Sequence, residues 1–340
     1  MKVLVTGGSG FLGSHIVEQL LEQGHDVRSM ARSPQPALEQ LAQQTGEPIE
    51  TIKGDICSPE DAAAAVEGCD AVIHTAAMVG AWGKEAQFQR VNVEGTRVML
   101  EAAKAEGVER FIFTSSPSVV FDGTPLVNAG QDTPYPTSFP TPYASTKAES
   151  ERIALAADTP GGMRVTALRP QLMWGAGDPH LLPMLMKKSR AGKLRVVGDG
   201  KALVDITYID NAARAHLDAL EALGKPDGED HPGGKAYFIS NGEPVELWSW
   251  IETLMKQMGA PAPRGAVPRQ VAWLAGWATE IIWSALGKNE DPPVTRYIAL
   301  KMSTHQYYDL EPARRELGYE PVVSMEEGLK RLLESERKTA

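Results

Sequence analysis

The first half of the chain alternates short apolar runs with longer amphipathic stretches. Val3-Leu4-Val5, Ala71-Val72-Ile73 and Phe111-Ile112-Phe113 are too short for helices and carry no polar alternation. That is the pattern of strands buried on both faces of a sheet. Between them, apolar residues recur at helical spacing, as in Ile16-Val17 with Leu20-Leu21. The rhythm predicts strands at 2–6, 26–30, 49–53, 70–74, 109–114 and 163–168, and helices near 11–23, 60–66, 84–106 and 141–158. Alternation of this kind implies an α/β fold with a parallel sheet covered on both faces, its ligand lying beyond the carboxyl ends of the strands.

The rhythm breaks twice. A Pro-rich stretch at 117–142 reads as a loop beside the ligand site, and after residue 170 Gly and Pro clusters separate short elements. This predicts a first domain over 1–170 and a smaller mixed lobe over 171–340 that supplies a substrate pocket, with the chain crossing between them. Within that lobe, 271–286 is apolar around most of its circumference, with Trp273, Trp277 and Trp283 and the single charge Glu280. It is too short to span a bilayer. Two readings stay open: an interfacial helix or hood over a lipid-like substrate, and a core helix of the lobe. Lys187, Lys188, Arg190, Lys193 and Arg195 form a basic cluster that reads as a solvated face or as an anion site.

Thr6-Gly7-Gly8-Ser9-Gly10-Phe11-Leu12-Gly13 sits between the first strand and the first helix. Gly7 and Gly10 permit a tight turn and close approach of a phosphate, Gly13 permits helix–strand packing, and the Phe11-Leu12 turn starts the helix at the positive end of its dipole. This is a dinucleotide site on a Rossmann-type, doubly wound sheet. A unit binding NAD ends its second strand with an acid on the ribose; here Ala31 stands in that place and Arg32 follows. A guanidinium without a neighbouring carboxylate suits a 2′-phosphate, so the pattern favours NADP, with NAD possible. Asp55 and Ile56, after the third strand, are placed to meet the adenine edge. Ala76, after the fourth, lets the chain pass the dinucleotide closely.

Tyr143 and Lys147 lie one helical turn apart in Tyr143-Ala144-Ser145-Thr146-Lys147. A lysine near a tyrosine favours the phenolate and lowers its pKa, the arrangement for proton transfer in carbonyl/alcohol chemistry. Thr114-Ser115-Ser116 ends a buried strand where one serine can hydrogen-bond the reacting carbonyl.

These strings, with Asn92 to Thr96 and Arg169-Pro170, resemble the extended short-chain dehydrogenases/reductases. The segments 114–123, 169–175, 198–211 and 237–244 are similar to the 3β-hydroxysteroid dehydrogenase-like branch. The resemblance implies Tyr143 as acid/base, Lys147 as its partner and Ser116 as the carbonyl-orienting serine, Ser115 being the alternative. It adds Asn92, Thr114 and Pro170 to the cofactor surroundings and implies a homodimer through the helices near 84–106 and 141–158. Within the branch, 77–83 and 311–319 resemble reductases of 2-alkyl-3-oxoalkanoates in olefin biosynthesis. Sterol-4α-carboxylate 3-dehydrogenases (decarboxylating) have similar strings around 178–179 and 203–205. The implied substrate is a hydrophobic β-keto or β-hydroxy acid.

Composition narrows the field. A net charge of −10 with no basic run argues against nucleic acid. The seven histidines show no paired ligand spacing, so no metal is expected. Cys57 and Cys69 read as ordinary thiols of a reducing compartment, and Met1-Lys2 runs straight into a strand. The expected location is the cytoplasm, possible contact with a membrane surface depending on 271–286. A nucleotide-sugar epimerase or dehydratase shares the glycine fingerprint, though the chain's seven tryptophans suggest apolar pocket walls. A non-catalytic dinucleotide sensor would have no use for Tyr143 and Lys147.

Overall fold

Seven parallel strands build one sheet, in the spatial order Ala236–Ile239, Arg164–Pro170, Arg110–Thr114, Ala71–His74, Lys2–Thr6, Asp26–Ala31, Ile49–Lys53. The computed structural model describes residues 1–288 and 290–339. Chain order reverses between Lys2–Thr6 and Ala71–His74, which opens a crevice at the carboxyl ends of those two strands.

The unbroken apolar runs follow from two-sided burial. Val3, Val5, Ile73 and Ile112 face one core with the helix Phe11–Glu22, while Leu4, Val72, Phe111 and Phe113 face a second core with the helices Pro59–Val66 and Gly95–Glu106. Side chains alternate between faces along a strand, so a sheet covered on both sides needs apolar residues at every position.

The 84–106 stretch differs from the expected single helix. It runs as Glu85–Phe88, a π-helical segment Gln89–Glu94, and Gly95–Glu106. The wider turn frees the Asn92 carbonyl to accept from Thr96 Oγ1 at 2.6 Å and Ser150 Oγ at 2.7 Å. Gly95 closes against Ile56, whose Cδ1 would lie 2.7 Å from an added Cβ. The 141–158 helix is observed as Pro142–Ala156, and a further helix, Pro36–Thr45, buries only Leu38 and left little pattern to read.

The second half returns to the sheet twice. Ile209–Ala222 packs on Phe11–Glu22, and Ala236–Ile239 forms the sheet edge, with Ala236 opposite Ala167. The 117–142 loop holds a 3₁₀ turn, Pro117–Val120, and the strand Leu126–Ala129, which pairs with Gln306–Tyr308 in a separate four-stranded sheet.

The 271–286 segment is a helix, Arg269–Ala285, but not a core helix: its buried residues are Ala272 and Gly276. Gly276 lets it cross the helix Arg296–Lys301, since an added Cβ would lie 2.5 Å from the Arg296 nitrogen. Glu280 fixes the crossing through Arg296 Nε at 2.6 Å. The outer face carries Val271, Leu274, Trp277, Ile281 and Ile282, with Leu274 55% and Trp277 47% exposed. Among the described residues, no helix is long and apolar enough to cross a membrane.

Candidate active site

At the end of the strand Lys2–Thr6 the chain turns through Gly7 at φ +73°. The Gly7 N–H donates to the Met30 carbonyl at 2.9 Å, and the Gly10 N–H donates back to the Gly7 carbonyl at 2.9 Å. An added Cβ on Gly7 would meet Thr75 Oγ1 at 3.0 Å, and one on Gly13 would meet the Gly7 oxygen at 2.2 Å. Both must stay glycine for the helix to seat on the strand. The following helix has no side-chain cap at Gly10 and no acid in its first turn, so its amides and positive end are left for an anion. They border a cleft of about 420 Å³ lined by Gly7, Gly10, Phe11, Leu12 and Gly13, then Arg32, Asp55, Ile56 and Ala76, and finally Thr114, Tyr143 and Lys147. A small-residue cradle, an uncapped helix end and a cleft that runs from the glycine turn to Tyr143 and Lys147 fit a dinucleotide.

At the far end of the cleft Arg28, in the second strand, and Arg32, just after it, have separate tasks. Arg28 is buried and ties the sheet to the helix Pro59–Val66, donating to the carbonyls of Ala65 at 2.9 Å and Glu67 at 2.7 Å and pairing with Glu50 at 2.9 Å. Arg32 is exposed at the cleft wall beside Ala31. Asp55 accepts from the Cys57 N–H at 3.0 Å and from Arg90 at 3.0 Å. The Cys57 bond holds its carboxyl below the usual carboxylate range, and the charges of Arg90 and Arg32 add to this.

Behind the cleft, Thr6 Oγ1 bonds His74 Nδ1 at 2.8 Å, and His74 Nε2 meets Thr96 Oγ1 at 3.3 Å. Asn92 accepts from the Met78 N–H at 2.7 Å and donates to the Met78 carbonyl and to Thr146 Oγ1, each at 3.1 Å. It therefore braces the wall from behind and does not line the cleft. Pro170 is likewise set back, paired with Ile239 inside the sheet. Met173, on the short strand Met173–Trp174, and His180 reach the cleft instead; on the loop between them the Asp178 carboxylate accepts three main-chain N–H groups, from His180, Leu181 and Leu182. The Gly and Pro of 174–179 marked that loop as a breaker; only its return to the cleft makes it part of the site.

Thr141 starts the helix Pro142–Ala156 by accepting from the Ala144 N–H at 3.1 Å, which places Tyr143 and Lys147 on one face toward the cleft. Lys147 Nζ donates to the Thr114 carbonyl at 2.6 Å and sits 4.0 Å from the centre of the Phe113 ring. The serines divide. Ser115 donates its N–H to the Leu168 carbonyl at 2.6 Å and lines the cleft, its buried hydroxyl making no hydrogen bond among the described residues. Ser116 caps the Pro117–Val120 turn, its hydroxyl accepting from Ser118 Oγ at 3.0 Å and lying beside Tyr143.

The electrostatics depart from the expected lysine-lowered phenol. Burial pushes the Tyr143 phenol up, opposed by the Ser116 hydroxyl. Burial also pushes Lys147 down to about 7, opposed by the Glu151 carboxylate. Both groups lose solvation of their charged forms, and the ammonium is taken up by a main-chain carbonyl.

Arg169 forms a buried two-pronged pair with Glu151, at 2.9 and 2.7 Å, and Tyr135 donates to the same carboxylate at 2.6 Å. This pair ties the helix Pro142–Ala156 to the strand Arg164–Pro170. Tyr297, which sequence reasoning passed over, lies near enough to Tyr143 for ionisation of one phenol to disfavour ionisation of the other. Its place depends on non-local packing, with no local signal.

Comparison with known proteins sets this geometry among relatives. Residues 4–269 match the 3-beta hydroxysteroid dehydrogenase/isomerase family. A 2-alkyl-3-oxoalkanoate reductase of Stenotrophomonas maltophilia (strain K279a) is 44% identical, the alignment covering 98% of each chain. The decarboxylating sterol-4-alpha-carboxylate 3-dehydrogenase of Homo sapiens is 33% identical over 99% of this chain and 88% of its own. Among solved structures, the dTDP-glucose 4,6-dehydratase DesIV of Streptomyces venezuelae, with NAD and TYD bound, superposes with a TM-score of 0.75 at 25% identity, covering 99% of this chain and 97% of its own.

Proposed function

Because the chain belongs to the 3-beta hydroxysteroid dehydrogenase/isomerase family, we propose that it is an NADP-dependent oxidoreductase interconverting a hydrophobic 2-alkyl-3-oxo acid and its 3-hydroxy acid. The observation carrying the substrate class is the 44% identity, end to end, with a reductase of that name. The cofactor choice rests on Arg32 standing exposed beside Ala31, with no carboxylate at the end of the second strand.

In this reading the glycine turn and the helix amides from Phe11 to Gly13 hold the pyrophosphate, Arg32 the 2′-phosphate, and Asp55 and Ile56 the adenine end. NADP supplies or accepts the hydride. The chain's own residues supply position and the proton. Ser116 donates a hydrogen bond to the substrate oxygen while Tyr143 delivers or removes its proton, and burial keeps Tyr143 protonated until an oxyanion develops beside it. Lys147, anchored on Thr114, presents a positive charge that stabilises the phenolate once formed.

A second reading, oxidation of a sterol 4α-carboxylate with loss of CO₂, is favoured by the 33% identity with the human dehydrogenase. The chemical core is the same, since oxidation beside a carboxylate-bearing carbon gives a β-keto acid. Nucleotide reduction with a long-chain 2-alkyl-3-hydroxy acid and a 4α-carboxysterol in parallel, each with NADP⁺ and NAD⁺, separates them. The account expects turnover of the acyl acid with NADP⁺; turnover of the sterol alone with NAD⁺ overturns it.

The exposed apolar face of Arg269–Ala285 is proposed to rest on a lipid surface from which such a substrate enters. Co-flotation with vesicles, lost on replacing Leu274 and Trp277 by Ser, tests it. A homodimer through Gly95–Glu106 and Pro142–Ala156 is carried over from the family as a proposal, tested by solution mass.

A further inference from the structure

We propose that Lys301 is the anion subsite of the active site and takes the carboxylate that stands beside the reacting carbon. The proposal rests on the β-keto or β-hydroxy acid reading above and names the residue that recognises the acid.

Lys301 closes the short helix Arg296–Lys301, which Thr295 caps by accepting from the Ile298 N–H at 3.1 Å. Tyr297 and Lys301 are four residues apart and share a face. That face meets Phe121, five residues beyond Ser116 in the same segment. The Phe121 and Tyr297 rings lie edge to face at 6.2 Å, and the Lys301 ammonium is 5.1 Å from the first ring centre and 6.0 Å from the second. One path thus leads from Ser116 along the chain to Phe121. The other runs from Tyr143 to Tyr297, whose phenol feels the charge of Tyr143. Both end at the same ammonium.

The polar surroundings of that ammonium are incomplete. Its hydrogen bond is to Gln306 Oε1 at 2.7 Å. Gln306 is fully buried and its amide nitrogen donates to the carbonyls of Lys301 at 3.0 Å and Thr304 at 3.2 Å, which fixes the oxygen toward Lys301. An ammonium has three donors. Lys301 is half-buried; among the described residues, no carboxylate pairs with it, whereas the buried Lys147 has the Glu151 charge near it. Burial holds Lys301 down to about 7. A half-buried cation with one neutral acceptor and two ring faces keeps donor capacity for an incoming anion. In a β-keto acid one carbon separates the carbonyl from the carboxylate. With the carbonyl at Ser116 and Tyr143, the proposal directs the carboxylate toward the Phe121 and Tyr297 rings and the ammonium beside them.

The test compares kcat/KM for a long-chain 2-alkyl-3-hydroxy acid and its methyl ester with NADP⁺ in the intact protein. Wild type prefers the acid, and Lys301→Met lowers the acid-over-ester ratio ~10- to 100-fold, mainly through KM, the loss of one charge-assisted bond. Lys301→Arg restores most of the ratio. Gln306→Glu, which gives the ammonium an internal partner, lowers it without removing the lysine. A ratio unchanged in both Lys301→Met and Gln306→Glu overturns the subsite alone. Failure of wild type to turn over either compound overturns the functional reading and the subsite with it.

Discussion

Lys147 donates a 2.6 Å hydrogen bond to the main-chain carbonyl of Thr114. The bond joins the helix that carries Tyr143 to the strand end that carries Ser116, so the two groups proposed to meet the substrate oxygen are registered by one buried lysine. Its charge is costly there, as its lowered pKa records. Replacement by an apolar side chain of similar length removes that cost. Lys147→Met is expected to keep or raise Tm while turnover falls ~10²- to 10⁴-fold, the range of a lost proton-transfer device. A parallel collapse of Tm would make the lysine a structural group instead.

Arg32 tests the cofactor assignment. Arg32→Ala is expected to weaken NADP⁺ binding ~10- to 100-fold, since a guanidinium–phosphate contact is a strong charge-assisted one. NAD⁺ binding is expected to change little. Equal losses for the two nucleotides would remove Arg32 from the 2′-phosphate.

Glu151 and Arg169 bear on stability. Burial alone would push the Glu151 carboxyl up, yet the Arg169 guanidinium holds it below its usual range. Glu151→Gln leaves Arg169 buried without its counter-charge, at an expected cost of about 3–5 kcal/mol. Denaturant unfolding measures this, and a loss below about 1 kcal/mol would contradict a tightly paired site.

His216 gives a pH signature. Its Nδ1 donates to the Ala212 carbonyl at 2.7 Å, and in the neutral ring Nε2 accepts from Thr114 Oγ1 at 2.8 Å. Burial pushes its pKa down to about 4, below its unfolded value of ~6.5. The unfolded state therefore binds more protons between these values. The stability due to the neutral ring is complete above ~6.5 and is lost as pH falls toward about 4. His74, pushed down to about 3, acts in the same sense; Asp205, pushed up to about 6, acts in the opposite one. The difference between wild type and His216→Gln isolates the one site. The variant is expected to be less stable by about 1–2 kcal/mol near neutral pH, with the gap narrowing on acidification. A gap independent of pH would contradict the neutral buried ring.

What was legible in the chain follows a physical division. Strands such as Phe111-Ile112-Phe113 were readable because burial on both faces leaves no polar position, and the glycine turn because only glycine seats Gly13 against Gly7. The π-helical turn at Asn92 was not, since an extra residue in one turn barely disturbs an apolar stripe. Nor was the return of Ala236–Ile239 to Arg164–Pro170, because partners some seventy residues apart leave no periodic trace. Tyr143 and Lys147 were readable as a pair at helical spacing. Their titration was not, because it depends on how deeply the fold buries them. Lys301 is an ordinary lysine in the sequence, and becomes notable only where Phe121, Tyr297 and Gln306 meet it.

The most direct test of the account is nucleotide reduction by wild type and Tyr143→Phe with a long-chain 2-alkyl-3-hydroxy acid, read beside NADP⁺ binding to each. The account predicts turnover by wild type, a loss of at least ~10²-fold in the variant, and unchanged NADP⁺ affinity. Turnover retained by Tyr143→Phe would contradict it.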